Sequence, residues 1–212
     1  MKKTISRLQY ITQIGGDFID HREAAEGACK AGCDWIQLRV KYMSAHHLLP
    51  IARRVKKICE AYQAKLIVND RPAIAKGAAA DGVHLGKEDM SPVEVRRILG
   101  EDIIIGGTAN TFEDIKRLAD ARVDYIGLGP FRFTTTKDNL SPILGLEGYK
   151  EIIEQCKAEK IDIPIVAIGG IVTEDVADIM QTGVHGIAVS GLITHAPKRG
   201  ELVKHLQDIL TS

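Results

Sequence analysis

Little in this chain of 212 residues marks it for nucleic acid, a membrane or a disulfide framework. Lysine plus arginine equals aspartate plus glutamate at 28 each, so no basic excess attracts a polyanion or an anionic membrane surface. The expected partner is therefore a small molecule, with no nucleic acid and no membrane. No apolar run approaches the roughly 20 residues of a spanning helix. The opening MKKTISRLQYITQIGG lacks the apolar stretch and cleavage site of a signal peptide, so a cytoplasmic protein is expected. The four cysteines, Cys29, Cys33, Cys59 and Cys156, contain no CxxC pair and read as buried small side chains in a reducing compartment. No Ser, His and Asp set has the spacing of a nucleophilic motif, so covalent catalysis is not expected. No GxGxxG follows the first apolar run, which argues against a doubly wound dinucleotide-binding sheet.

What is present is a strict alternation. With 45% hydrophobic and 26% charged residues the chain can bury one sizeable core. LQYIT, WIQLR, KLIVND, GVHLG, IIIGGTA, DYIGLGP, IPIVAIGG and GIAVSGLI read as strands, each followed by an amphipathic stretch. Helix starts are marked by Ser91 before Pro92, Thr111 with Asp114 three residues on, and Thr173 before Glu174 and Asp175. Gly32, Gly100 and Gly183 mark helix ends. Eight βα units predict an α/β fold, a (β/α)8 TIM barrel forming a single domain over residues 1–212. The one long connection, residues 131–144, is expected to be an active-site loop.

Polar residues follow the strand-like runs and would gather at one rim, where such barrels keep their chemistry. They are Gln37, Arg39 and Lys41 in QLRVK, Asn69 and Asp70 in VND, Asp89 in GKED, and Thr134, Thr136 and Lys137 in TTTK. Gln37, Arg39 and Lys41 have one parity, so an extended segment points all three the same way, into the barrel mouth. Asp70 and Asp89, on neighbouring strand ends and without a supporting His or Cys, suit Mg²⁺. Each taken alone reads equally as a helix cap. Gly169, Gly170, Ser190 and Gly191 follow the last two strands, where backbone N–H groups can cradle a phosphate; singly, each glycine reads as a turn. The whole set suits a metal-bound, multiply charged anion such as a diphosphate. His84, inside VHL, reads as a hydrogen-bonded interior histidine. His46, His47, His195 and His205 read as surface positions, and His185 as a turn residue.

In order and spacing, QLRVK, VNDRPAIAKGAAADGVHLGKEDM, DYIGLGP, TTTKDNLSPILGLEG and IVAIGGI resemble the thiamine-phosphate synthase family across nearly the whole chain. The resemblance implies a (β/α)8 barrel that joins a hydroxymethylpyrimidine diphosphate to a thiazole phosphate and releases diphosphate. It implies that Gln37, Arg39, Lys41 and Asn69 hold the pyrimidine diphosphate, with Thr108 and Lys137 on the same substrate and Mg²⁺ on Asp70 and Asp89. Thr134 and Thr136 would meet the thiazole phosphate, with Gly170, Ser190 and Gly191 at its phosphate. Arg39, Lys41 and Lys137 would neutralise the departing diphosphate. The chain departs from the family pattern at Thr108 and Asn110, usually Ser and His, at Phe131, Arg132 and Phe133, and at Ser190 and Gly191. Thr108 keeps the hydroxyl of Ser. A thiazole tautomerase of similar sequence, a phosphate-sugar isomerase or aldolase, and a non-catalytic phosphate-binding barrel are the competing readings. A tautomerase would need the thiazole site and not the Mg²⁺ and diphosphate set, so Asp70, Asp89 and Lys137 argue against it. Oligomeric state has no signature in the sequence.

Overall fold

The computed structural model describes residues 3–133 and 142–211. Eight parallel strands close on themselves in chain order: β1 (Leu8–Ile11), β2 (Trp35–Leu38), β3 (Lys65–Asn69), β4 (Gly82–Leu85), β5 (Ile104–Ala109), β6 (Tyr125–Leu128), β7 (Ile165–Ile168) and β8 (Gly186–Val189). The last strand pairs back to the first, with Leu8 opposite Ile187 and Tyr10 opposite Val189. Helices α1 (His21–Lys30), α2 (Ala45–Ala61), α3 (Pro72–Gly77), α4 (Pro92–Leu99), α5 (Phe112–Asp120), α6 (Gly145–Ala158) and α7 (Val176–Gln181) occupy the connections. Two further helices, α8 (Gly191–Thr194) and α9 (Arg199–Thr211), follow β8.

Strand alternation divides the apolar side chains into two cores. Leu8, Tyr10, Ile36, Leu38, Leu66, Val68, Ile105 and Ile126 face outward and pack with the inner faces of the helices. Ile11, Trp35, Ile67, Ile104, Tyr125, Val166 and Ala188 form a separate cluster inside the barrel. Both are needed, because a parallel strand in such a fold is buried on two faces. All four cysteines are buried free thiols.

The cap signals mostly place the helices. Asp20 accepts from the N–H groups of Arg22 and Glu23, and Ser91 with Glu94 and Thr111 with Asp114 each form a reciprocal capping box. Gly100 closes α4 at φ 90°, a conformation that favours glycine. Two expectations need correction. Thr173 does not cap a helix: it begins a 3₁₀ turn over Thr173–Asp175, where Asp175 Oδ2 accepts the Val172 N–H at 2.9 Å. The run GIAVSGLI is not one strand, since it turns at Ser190 into α8.

Small residues inside the barrel make room for large ones. A Cβ on Gly106 would lie 2.2 Å from Tyr125 Cζ, and one on Gly127 would lie 3.1 Å from His84 Cε1. Gly106→Ala is therefore expected to displace the Tyr125 ring and cost about 1 to 3 kcal/mol, the usual range for overpacking. Thermal unfolding should show a drop of roughly 2 to 4 °C per kcal/mol, and an unchanged Tm would mean the ring moves without penalty.

Candidate active site

The carboxyl ends of the strands carry the site residues, and their placement follows from strand alternation and register. Asn69 ends β3 and pairs in register with His84 on β4, so the Asp70 segment and the turn after β4 are neighbours. The Asp70 N–H donates to the His84 carbonyl at 2.8 Å. Asp70 itself is exposed at φ 63°, a left-handed conformation that Asp tolerates better than most residues. In the turn after β4, Asp89 is half-buried, and its Oδ2 accepts the Gly86 N–H at 2.6 Å, which orients the carboxylate.

Neither carboxylate serves as a helix cap. The N-cap of α3 is Arg71, without a side-chain cap bond, and the N-cap of α4 is Ser91. No group of three or more His, Cys, Asp or Glu side chains converges on one point among the described residues. A pair of carboxylates fits Mg²⁺, which dehydrates reluctantly and takes one or two carboxylates plus substrate phosphates and waters.

Gln37, Arg39 and Lys41 are not presented alike. β2 ends at Leu38, so alternation fixes the side chain of Gln37 but does not extend to Lys41. Gln37 is buried inside the barrel at 2% exposure, where its Nε2 donates to Gln9 Oε1 at 3.0 Å. Arg39 is half-buried above it, held by its N–H on Thr12 Oγ1 at 3.2 Å, and Lys41 is exposed at the rim. Thr108, near the end of β5, is half-buried with its Oγ1 3.0 Å from His84 Nε2. Asn110 donates from Nδ2 to the Gly129 carbonyl.

Across the mouth lies a cradle of backbone. Gly169 and Gly170 follow β7 at φ 100° and 68°. A side chain on Gly170 would meet Phe133 O at 2.8 Å and Arg132 Cβ at 3.0 Å, so the segment after β6 passes directly over it. Arg132 fastens that segment: its guanidinium pairs with Asp175 at 2.8 and 2.9 Å and donates to the Gly170 carbonyl at 3.0 Å. Ser190 and Gly191 stand at the N-terminus of α8, and Ser190 Oγ donates to Gln13 Oε1 at 2.9 Å. A short extra helix after strand 8 is a recurring phosphate position in such barrels. Thr134, Thr136 and Lys137, with most of the connection 131–144, lie outside the described residues.

The opposite rim has a different character. Asp124 is paired with Lys3 at 3.0 Å and Arg96 at 2.8 Å and also accepts the Ile105 N–H. Asp81 is paired with Lys56 at 2.8 Å and accepts the Leu66 N–H. These acids tie strands to helices. Hollows at that end, one lined by Lys3, Lys65 and Asp81 and another by Arg7, Cys156 and His185, lie away from the candidate residues.

His84 is the hydrogen-bonded interior histidine that the sequence predicts, while Gln9 and Tyr125 carry no expectation there. The structure joins all three. Gln9 Nε2 donates to the Tyr125 hydroxyl at 3.3 Å, and that hydroxyl lies 3.0 Å from His84 Nδ1. A glutamine in the centre of the apolar run LQYI was the available signal.

The sequence profile of a family described as thiamine monophosphate synthase matches residues 8–193. A thiamine-phosphate synthase of Bacteroides fragilis is 52% identical over 202 residues, covering 95% of this chain and 98% of that protein. One from Flavobacterium johnsoniae is 49% identical over 205 residues, covering 97% and 96%. Among solved structures, a thiamine phosphate pyrophosphorylase from Pyrococcus furiosus matches with a TM-score of 0.82 at 29% identity, covering 97% of this chain and 95% of that one.

Proposed function

The chain belongs to the thiamine monophosphate synthase family, and from that premise we infer that it joins 4-amino-2-methyl-5-hydroxymethylpyrimidine diphosphate to 4-methyl-5-hydroxyethylthiazole phosphate. The products are thiamine phosphate and diphosphate. The thiazole nitrogen forms a bond to the pyrimidine methylene carbon as the bond from that carbon to the diphosphate oxygen breaks, and the electron pair leaves with diphosphate. Electron donation from the aminopyrimidine stabilises positive charge at the methylene carbon. No strong general base is needed.

The protein then has two tasks. The first is to hold the pyrimidine diphosphate and neutralise the charge that develops as it departs. Gln37 and Asn69 orient the substrate, Thr108 donates a hydrogen bond to it, and Arg39, Lys41 and Lys137 supply positive charge where negative charge grows. Asp70 and Asp89 would hold Mg²⁺, which when bound to the diphosphate neutralises its charge. The second task is to hold the thiazole in line. Thr134 and Thr136 meet the thiazole phosphate, with the backbone at Gly170, Ser190 and Gly191 at its phosphate, and the gain is one of positioning.

The observation that supports this reading most is the gathering of Asp70, Asp89, Thr108 and the Gly170 and Gly191 backbone at the carboxyl ends of strands, with the helix-cap use of both acids removed. Purified protein mixed with both substrates and Mg²⁺ should yield thiamine phosphate and diphosphate in equal amounts. Folded protein that yields neither would overturn the assignment.

At position 108 the hydroxyl matters, not the identity of Ser. Thr108→Ser should leave kcat/KM nearly unchanged, whereas Thr108→Val loses a hydrogen bond to a charged group and should cost about 1.5 to 3 kcal/mol in transition-state stabilisation. Equal kcat/KM for the Ser and Val variants would reduce Thr108 to packing.

A further inference from the structure

Five polar side chains from five strands form one string of hydrogen bonds through the interior of the barrel. Gln37 Nε2 donates to Gln9 Oε1 at 3.0 Å, and Gln9 Nε2 donates to the Tyr125 hydroxyl at 3.3 Å. That hydroxyl lies 3.0 Å from His84 Nδ1, and His84 Nε2 lies 3.0 Å from Thr108 Oγ1. Gln9 and Gln37 are each 2% exposed, Tyr125 is 0% and His84 7%. Barrel interiors are ordinarily filled by branched apolar side chains. A polar string there is tolerated only when every donor meets an acceptor, because an unmatched buried group costs about 1 to 3 kcal/mol.

That requirement gives the string a direction. The Tyr125 hydroxyl accepts from Gln9, so its own proton goes to His84 Nδ1. A neutral imidazole accepting at Nδ1 carries its proton on Nε2 and donates to Thr108 Oγ1. Thr108, now an acceptor from His84, keeps its O–H to give elsewhere, and Gln37, whose N–H is used on Gln9, keeps its Oε1 to receive. With the imidazole neutral and the buried Tyr125 proton used within the string, reversing every bond is the one other arrangement in which no donor faces a donor and no acceptor an acceptor. It turns Gln37 into a donor and commits the Thr108 proton to His84. The two ends therefore change together. Burial pushes the Tyr125 hydroxyl up from the ordinary tyrosine range, which keeps its proton in place. The glycines at 106 and 127 leave the space that the Tyr125 and His84 rings fill.

We propose that Tyr125, with Gln9 and His84, is a positioning residue that couples the hydrogen-bonding state of Gln37 to that of Thr108, so that one end accepts from an amine while the other donates to an anion. The inference rests on the proposed function, in which both ends meet the pyrimidine diphosphate. The exocyclic amino group of the pyrimidine offers N–H donors and the diphosphate offers only acceptors, so a substrate that turns its amino group to Gln37 demands the same direction of the string at both ends. A ligand that satisfies one end predisposes the other.

Two measurements test this, with Tyr125→Phe as the cut. It is nearly isosteric, and thermal unfolding serves as the check that the variant is folded. First, the Kd of the pyrimidine diphosphate with Mg²⁺ is measured calorimetrically for Gln37→Met, Thr108→Val and the double variant, in the native and Tyr125→Phe backgrounds. In the native background the two losses should fall short of multiplying by about fivefold or more, within the range of coupled neighbours. In the Tyr125→Phe background they should multiply within about twofold. Equal non-additivity in both backgrounds overturns the coupling. Second, the ring ¹⁵N shifts of His84 at neutral pH should report the Nε2–H tautomer in the native protein and a mixture of tautomers in Tyr125→Phe. An Nδ1–H or doubly protonated ring in the native protein overturns the direction of the string. The tautomer needs neither substrate nor turnover, so it decides the string even where failure to bind pyrimidine diphosphate has sunk the proposed function.

Discussion

Asp70→Ala and Asp89→Ala are each expected to lower kcat/KM for coupling by about 10²-fold or more while leaving the barrel folded. The size follows from the chemistry: a departing diphosphate carries several negative charges, and loss of even one preorganised electrostatic contact costs about 10² to 10³ in catalysis. The lack of damage to the fold follows from the structure. Asp70 is exposed and is not the N-cap of α3, and the Asp89 carboxylate accepts the Gly86 N–H. Losing that bond should cost about 1 kcal/mol. Circular dichroism should thus be unchanged, and Mg²⁺ titration in the presence of diphosphate should show weakened metal binding in both variants. Native turnover that persists in excess chelator, together with full activity of both variants, would remove the metal from the mechanism.

Lys137→Ala is expected to lower kcat by about 10² to 10³, the range for a group aimed at charge that develops in the transition state. Its effect on the Kd of the thiazole phosphate alone should stay within about threefold, since the lost interaction belongs to the departing diphosphate. The stem that carries this residue is anchored: Leu144 N–H donates to the Pro130 carbonyl at 3.0 Å, and Arg132 pairs with Asp175. An unchanged kcat, or a protein that isomerises the thiazole and never releases diphosphate, would transfer the assignment to a tautomerase.

The barrel was readable because its signals are local. Each strand is a short apolar run and each helix an amphipathic stretch, and caps such as Ser91 and Thr111 act within three residues of themselves. The short helix Gly191–Thr194 was not, because GIAVSGLI stays apolar through the change from strand to helix and only the backbone at Ser190 turns. Parity served Gln37 and did not reach Lys41, since alternation holds only while the chain is extended and β2 stops at Leu38. The interior string was hidden for another reason. Gln9 and Tyr125 stand 116 positions apart and meet only through the closure of the sheet, so no window along the sequence contains the pattern.

The pairing of Leu8 with Ile187 also sets an order on the life of the chain. During synthesis the first seven strands can leave the ribosome and pair in sequence, since each lies beside its predecessor. β1 must wait with one side unpaired until residues 186–189 emerge. At about 5 to 20 residues per second, that wait lasts on the order of ten seconds or more. Throughout it the nascent sheet has two open edges able to recruit strands from other chains. A chain truncated before β8 would keep those edges permanently, so such fragments should aggregate even though they contain nearly all of the candidate active-site residues.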